Sequence, residues 1–191
     1  PCNASVVITD VNTGDVLAMV SYPGYDNNKM ANTVDAEYYA QLNADKSSPQ
    51  LNFATQYKAA PGSTFKIVSA TAGLLENVIN LQSRVNCVGT FTEITPSPRC
   101  WKISGHGYEN VTSAIKDSCN YFFYNVGYQL ATRTGSYNEE AGLDTLSKYA
   151  DLYGLTDKSG VEIGEYAPDV STKDPVRSAI GQGSNSYTTV G

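Results

Sequence analysis

The sequence predicts an α+β fold, and three observations carry that expectation. Two short β-rich runs, Val6–Thr9 and Val16–Val20, flank a turn at Asn12-Thr13-Gly14. After Ser63, the apolar residues Phe65, Val68, Ala72 and Leu75 recur at near-helical spacing. From Ser118 to Tyr153 the pattern is mostly helical. Strands gathered at one end of a chain and helices following them are the α+β signature.

The elements follow in order. Tyr22–Gln50 is polar, with Pro, Gly and Asn, and reads as a long excursion. The helix after Ser63 presents one apolar stripe and is expected to be buried. Val85–Thr92 suggests a further short strand pairing. Thr112–Asp117 is a short polar helical stretch, and a helix carrying Phe123, Val126, Gly127 and Leu130 on one side comes after it. Leu143, Leu146, Ala150 and Tyr153 share a face of a helix over Leu143–Tyr153. From Asp157 to Pro175, turns and short extended pieces dominate. No internal repeat and no heptad pattern is present.

At 191 residues and 41% apolar content the chain can build one domain with a real core. A net charge of −6 argues against a nucleic-acid surface. No apolar run is long enough to span a bilayer, and no signal peptide opens the chain. The strand-like start right at the first residues suggests a piece cut from a longer chain at both ends.

The chemistry concentrates in Pro61-Gly62-Ser63-Thr64-Phe65-Lys66. Residues three apart meet on one helical face, so Ser63 and Lys66 place a hydroxyl beside an amine that can take its proton. Free lysine titrates near ~10.4 and a useful base nearer ~7–8, a difference of roughly 3 units or about 4 kcal/mol. Burial and the positive end of a helix dipole both push in that direction. The Ser63 N–H is then a natural oxyanion donor. A surface helix that begins with Ser and exposes Lys is the bland alternative.

Ser118-Cys119-Asn120 falls at a junction between two helical stretches, where side chains can project into a cleft. The Ser118 hydroxyl can relay a proton, and the Asn120 amide can bond both the lysine and a substrate amide. Both residues also suit a simple helix cap.

Together these segments resemble the transpeptidase domain of class B penicillin-binding proteins. Ala4–Pro23 is similar to that family's first hairpin, Asn52–Lys66 to its approach to the nucleophile, Trp101–Asn120 to its second-motif region, and Ala179-Ile180-Gly181-Gln182-Gly183 to its I-G-Q-G segment. The resemblance runs over nearly the whole chain, so residues 1–191 are expected to form one partial transpeptidase domain. It implies the β-lactamase/transpeptidase-like fold: an antiparallel sheet with flanking helices and an all-α lobe, the sheet incomplete here. It also implies Ser63 as acylated nucleophile, Lys66 as base, and Ser118 and Asn120 as the second motif. The implied reaction is peptidoglycan D,D-transpeptidation through an acyl-serine, without a cofactor. Peptidoglycan stem peptides would be the substrates, β-lactams covalent ligands, and nucleic acid no partner. The parent protein would be membrane-anchored, act on the extracytoplasmic face of the bacterial cell membrane and join a cell-wall synthesis complex.

The family's third motif, K-T-G or K-S-G on a strand after I-G-Q-G, does not follow Gly183 in these residues, and a fragment without it is expected to acylate slowly. Lys158-Ser159-Gly160 matches only as a string; Arg133-Thr134-Gly135 reads as a helix end. A D,D-carboxypeptidase, a β-lactam sensor and a non-catalytic wall-binding scaffold are rival readings. So is a class D β-lactamase, which shares S-T-F-K but has Val where this chain has Asn120.

The cysteines are Cys2, Cys87, Cys100 and Cys119. Cys87 and Cys100 flank a turn-like stretch and suit free thiols or a disulfide across a hairpin. With Cys119 and the single histidine, His106, they also make a Cys₃His set, but without a close C-x₂₋₄-C pair. No residue is assigned to a metal. Cys119 is expected to point away from the cleft into the core. His106, between two glycines, reads as structural rather than as the base of a Ser-His pair. The fourteen tyrosines read mostly as packing.

Overall fold

The computed structural model describes residues 2–191, which gather into two compact units. The first unit combines the chain up to residue 59 with residues 158–167 and 187–191; the second combines residues 60–157 and 168–186. Helices and two small antiparallel sheets make up the whole, the α+β content that the sequence predicts.

In the first unit, β1 (Ala4–Thr9) pairs antiparallel with β2 (Val16–Tyr22), from Ala4 opposite Tyr22 to Thr9 opposite Val16. The turn closes through Gly14 N–H on the Asp10 carbonyl, and Gly14 sits at φ +80°, a region that costs glycine little. One face of the hairpin is pinned by polar contacts: Ser21 Oγ donates to Asn52 Oδ1, and Ser5 Oγ lies 2.7 Å from Thr189 Oγ1. Val6, Ile8, Leu17 and Val20 remain exposed.

The expected polar excursion contains a helix, α1 (Ala36–Ala44), that the sequence reading missed. Asp35 caps it by accepting from Tyr38 N–H, and only Leu42 of the helix is buried. A helix that buries one residue carries too little periodicity to stand out. Farther along, the carboxylate of Glu165 is buried and accepts from Ser159 N–H and Oγ and from Thr188 Oγ1.

The second unit holds the core. A 3-10 turn, Gly62–Phe65, leads into α2 (Lys66–Leu75). Phe65, Val68 and Ala72 are buried as expected, but Leu75 is 63% exposed. Asn77, at φ +57°, reverses the chain, and the Val78 and Ile79 N–H groups both bond the Gly73 carbonyl. Ile79 thereby folds back and takes the buried place expected for Leu75.

Next, β3 (Val85–Cys87) pairs with β4 (Gly107–Glu109), and an isolated bridge joins Thr90 to Arg99 between them. Asn110 and Ser113 form a capping box at the start of α3 (Val111–Lys116). After α3 comes α4 (Asn120–Thr132), with Phe122, Phe123, Val126 and Leu130 buried. The helix α5 spans Glu139–Leu152 and starts four residues before the expected Leu143, because Asn138 caps it by accepting from Ala141 N–H. Tyr149, not Tyr153, completes its buried face: Tyr153 follows the last turn and is 48% exposed. A single-turn helix, α6 (Pro175–Ser178), packs on α4 so closely that a Cβ on Gly127 would meet the Pro175 carbonyl oxygen at 2.5 Å.

Arg133 does close α4, as its sequence context suggests, and it pairs with Glu76. Phe91 packs against Tyr121, Tyr124 and Tyr128 with ring centroids 5.3–6.0 Å apart, the packing role expected of the tyrosines.

Candidate active site

Ser63 lies in the 3-10 turn and is exposed, whereas Lys66, at the first position of α2, is only 2% exposed. Ser63 is therefore open to solvent while the amine is held inside. The turn is braced by the I-G-Q-G segment. Gly62 N–H donates to the Gly181 carbonyl at 3.1 Å, and a Cβ on Gly181 would sit 2.1 Å from the Gly62 carbonyl oxygen.

The Lys66 ammonium has three donors and three partners. Nζ is 2.8 Å from the Ser118 carbonyl oxygen, 2.9 Å from Ser118 Oγ and 2.7 Å from Asn120 Oδ1. Ser118 Oγ is also 2.9 Å from Ser63 Oγ. The Ser118 hydroxyl thus stands between nucleophile and amine, and the path Ser63 Oγ, Ser118 Oγ, Lys66 Nζ is continuous. Beside the direct transfer from Ser63 to Lys66 that three-residue spacing suggests, these hydrogen bonds offer a path through Ser118.

The local fold explains how Ser118 reaches this place. It follows the last residue of α3 by two positions and precedes α4 by two, at φ +50°. That left-handed conformation is uncommon for a residue with a Cβ and closes α3, with Ser118 N–H on the Ile115 carbonyl and Cys119 N–H on the Ala114 carbonyl. It breaks the helical path, so that the Ser118 and Asn120 side chains both reach Lys66 while Cys119 between them is buried in the core, as expected. Asn120 opens α4, which the core anchors through Phe122 and Phe123.

Burial lowers the Lys66 pKa to about 8, against opposing influence from the Cys119 and Cys100 sulfurs. In its neutral form the amine can donate to the Ser118 carbonyl and to Asn120 Oδ1, neither of which has a proton to give. Its lone pair is left for the Ser118 hydroxyl. The four side chains together can activate a serine for attack on a carbonyl and later return a proton to a leaving amine.

Ser159 of the Lys158-Ser159-Gly160 string is occupied by Glu165. His106 faces Cys87 Sγ and Cys100 Sγ, each 3.6 Å from its Nδ1, and packs edge-on against Trp101. Sequence reasoning did not single out Trp101, whose indole N–H donates to the Ser118 and Asp117 carbonyls; nothing but its place in the second-motif region pointed to it.

The cysteines are all free thiols. Cys87, Cys100, His106 and Cys119 bring one ligand atom each to within 4.8 Å of the others. Bond lengths of about 2.3 Å to sulfur and 2.0 Å to nitrogen put tetrahedral S and N ligands about 3.5 Å apart, close to the 3.6 Å found here. The sequence reading assigned no metal ligand because the spacing lacks a close cysteine pair. Folding supplies that proximity by bringing β3, the following loop and the start of α4 together. The set fits zinc, which would tie Cys119, and with it Ser118 and Asn120, to the β3–β4 segment. Elemental analysis of purified protein is expected to find about one zinc per chain. Chelation or Cys100→Ser should remove it and lower Tm. A metal-free protein whose Tm is indifferent to chelator would show that the thiols serve packing alone.

A buried lysine, a bridging serine and an exposed serine joined by hydrogen bonds form an arrangement able to support acyl transfer. The family model described as penicillin binding protein transpeptidase domain matches residues 4–190, and the chain belongs to that family. It is 34% identical over 165 residues to the peptidoglycan D,D-transpeptidase MrdA of Escherichia coli, covering 85% of this chain and 24% of that protein. Penicillin-binding protein PBP2 of Helicobacter pylori, solved in complex with MreC, superimposes with a TM-score of 0.86 at 25% identity, covering 96% of this chain and 36% of that one. Penicillin-binding protein A of Mycobacterium tuberculosis, solved as an imipenem acyl-enzyme, gives a TM-score of 0.83 at 25% identity, covering 100% and 44%. The chain spans about a quarter of the length of the curated relatives it matches.

Proposed function

We propose that this chain is part of one transpeptidase domain of a peptidoglycan D,D-transpeptidase, with Ser63 as nucleophile, Lys66 as base, and Ser118 and Asn120 completing the proton path and the substrate contact. The observation that carries this reading is the unbroken hydrogen-bond path from Ser63 Oγ through Ser118 Oγ to a buried Lys66 Nζ. Ser63 Oγ attacks the carbonyl of the D-Ala–D-Ala amide. Its proton passes to Ser118 as the Ser118 proton passes to neutral Lys66. Reversal of the same path protonates the departing D-alanine and leaves an acyl-serine. An amine from a neighbouring stem peptide then takes the acyl group. A β-lactam carbonyl is attacked in the same way, but its leaving amine stays tethered, which favours a long-lived ester.

The similarity to MrdA supports the peptidoglycan substrate. The likeness to PBP2 solved with MreC supports a parent that works within a cell-wall synthesis assembly, and a membrane anchor with action on the extracytoplasmic face belongs to the same proposal. Among the described residues no helix is long and apolar enough to cross a membrane.

Mass spectrometry of the whole protein incubated with a penicillin tests the reading. The expected result is one adduct on Ser63 and none on Ser63→Ala. Absence of any adduct on the whole protein would overturn the assignment. The 191-residue piece, which contains no K-T-G string, is expected to label about 10²–10³-fold more slowly, the cost of losing one oxyanion donor.

A further inference from the structure

We propose that Trp101 is a positioning residue for acylation, acting through the Ser118 carbonyl; the proposal rests on the transpeptidase reading above. Trp101 is the only tryptophan of the chain, and it is 62% exposed. An indole left largely in water is not there chiefly to fill the core. Its Nε1–H is 3.0 Å from the Ser118 carbonyl oxygen and 3.3 Å from that of Asp117.

The Ser118 carbonyl matters because Lys66 Nζ uses it too, at 2.8 Å. Two donors from different segments therefore meet on one oxygen. This peptide lies between the end of α3 and the start of α4, where its N–H side is held by the Cys119 N–H on the Ala114 carbonyl at 2.8 Å and its carbonyl side by the indole and the amine. Ser118 is also at φ +50°, a conformation that persists only where its surroundings hold it. Within the site, the hold from Lys66 is the one that must change as the amine gains and loses a proton. The indole N–H does not titrate, so its hold is constant through the cycle. The ring is braced in turn by its edge contact with His106, at a centroid distance of 5.1 Å. The α3 end sets the left-handed conformation of Ser118; Trp101 holds its carbonyl, and with it Oγ at 2.9 Å from both Ser63 Oγ and Lys66 Nζ, whichever protonation state the lysine is in.

The test replaces Trp101 in the whole protein by β-(3-benzothienyl)alanine, which keeps the ring shape and puts sulfur where the N–H was. Acylation by a chromogenic cephalosporin is resolved into the dissociation constant of the first complex and the rate constant of the chemical step. The expected result is a chemical step slowed about tenfold, the equivalent of one hydrogen bond, with the dissociation constant and Tm unchanged. An unaltered chemical step overturns the proposal, as does a lowered Tm with the chemical step intact. Trp101→Phe should reproduce the loss.

A second measurement needs no turnover. The Trp101 indole N–H resonance of ¹⁵N-labelled protein, assigned by its loss in Trp101→Phe, should exchange with solvent deuterium more slowly than a free indole; exchange at the free rate also overturns the proposal. Labelling of the parent with normal chemistry in the isostere defeats the role of Trp101 alone. A parent that never labels, with its indole N–H still protected, defeats the transpeptidase reading and this role with it.

Discussion

Lys66→Met is expected to slow acylation of Ser63 by about 10²–10⁴-fold, the range a positioned general base supplies. Methionine matches the length of the lysine stem, so the core around Phe65 and Phe123 should close over it and the fold should survive. What disappears is the amine that terminates the path from Ser63 through Ser118. The Ser118 carbonyl and Asn120 Oδ1 also lose a donor, which costs stability of about 1–3 kcal/mol if water does not replace it. Penicillin labelling followed over time, with circular dichroism on the same sample, separates the two effects. A variant that is folded and labels at the parent rate would remove Lys66 from the mechanism.

The same residue sets the pH dependence. The amine works only when neutral, and burial lowers its pKa to about 8. Acylation by the parent should therefore rise about tenfold per pH unit below that value and level off above it. The stability contribution has the same sign. Between about 8 and 10.5 the unfolded chain still holds the proton that the folded chain has lost, so folding gains from Lys66 as pH rises through that window. A rate profile flat from pH 6 to 9 would exclude Lys66 as the titrating base.

Gly181→Ala is expected to have the second largest effect, although residue 181 carries no reactive group. Gly181 lies at φ +72°, and a Cβ there would stand 2.1 Å from the Gly62 carbonyl oxygen and 2.7 Å from its nitrogen. Both are backbone atoms of the turn that presents Ser63, so no flexible side chain can yield. The left-handed conformation alone costs on the order of 1–3 kcal/mol for a residue with a Cβ. The overlap must then be relieved by moving the 61–63 turn, and a shift of 1 Å in a nucleophile can cost about 10²-fold in rate. The expected outcome is a Tm lowered by several degrees and loss of penicillin labelling out of proportion to the fraction unfolded. Labelling at the parent rate would mean that the turn is not braced by this contact.

The parts of the site legible in the sequence were those whose geometry is local. Ser63 and Lys66 lie three residues apart, and Ser118 and Asn120 two apart, so a helical turn and a helix junction were enough to orient each pair. The helix after Ser63 and that after Ser118 showed their apolar faces for the same reason. Errors came where one local choice competed with another. Leu75 has the right spacing to be buried, but the chain turns at Asn77 and Ile79 takes its place. Tyr153 continues the face of α5 one step beyond the end of the helix, and Tyr149 does its work. The helix over Ala36–Ala44 gave no warning, because only one of its residues is buried.

By itself the sequence determined which residues are the candidates for the chemistry, where the principal helices run and to which family the chain is similar, since these depend on residue type and on neighbours within a few positions. Only the tertiary structure decided that Ser118 stands between Ser63 and Lys66, that three thiols and an imidazole converge, and that an indole reaches the Ser118 carbonyl. Each of those joins segments 6–55 residues apart, and such contacts are set by how the helices and the β3–β4 segment pack rather than by spacing along the chain.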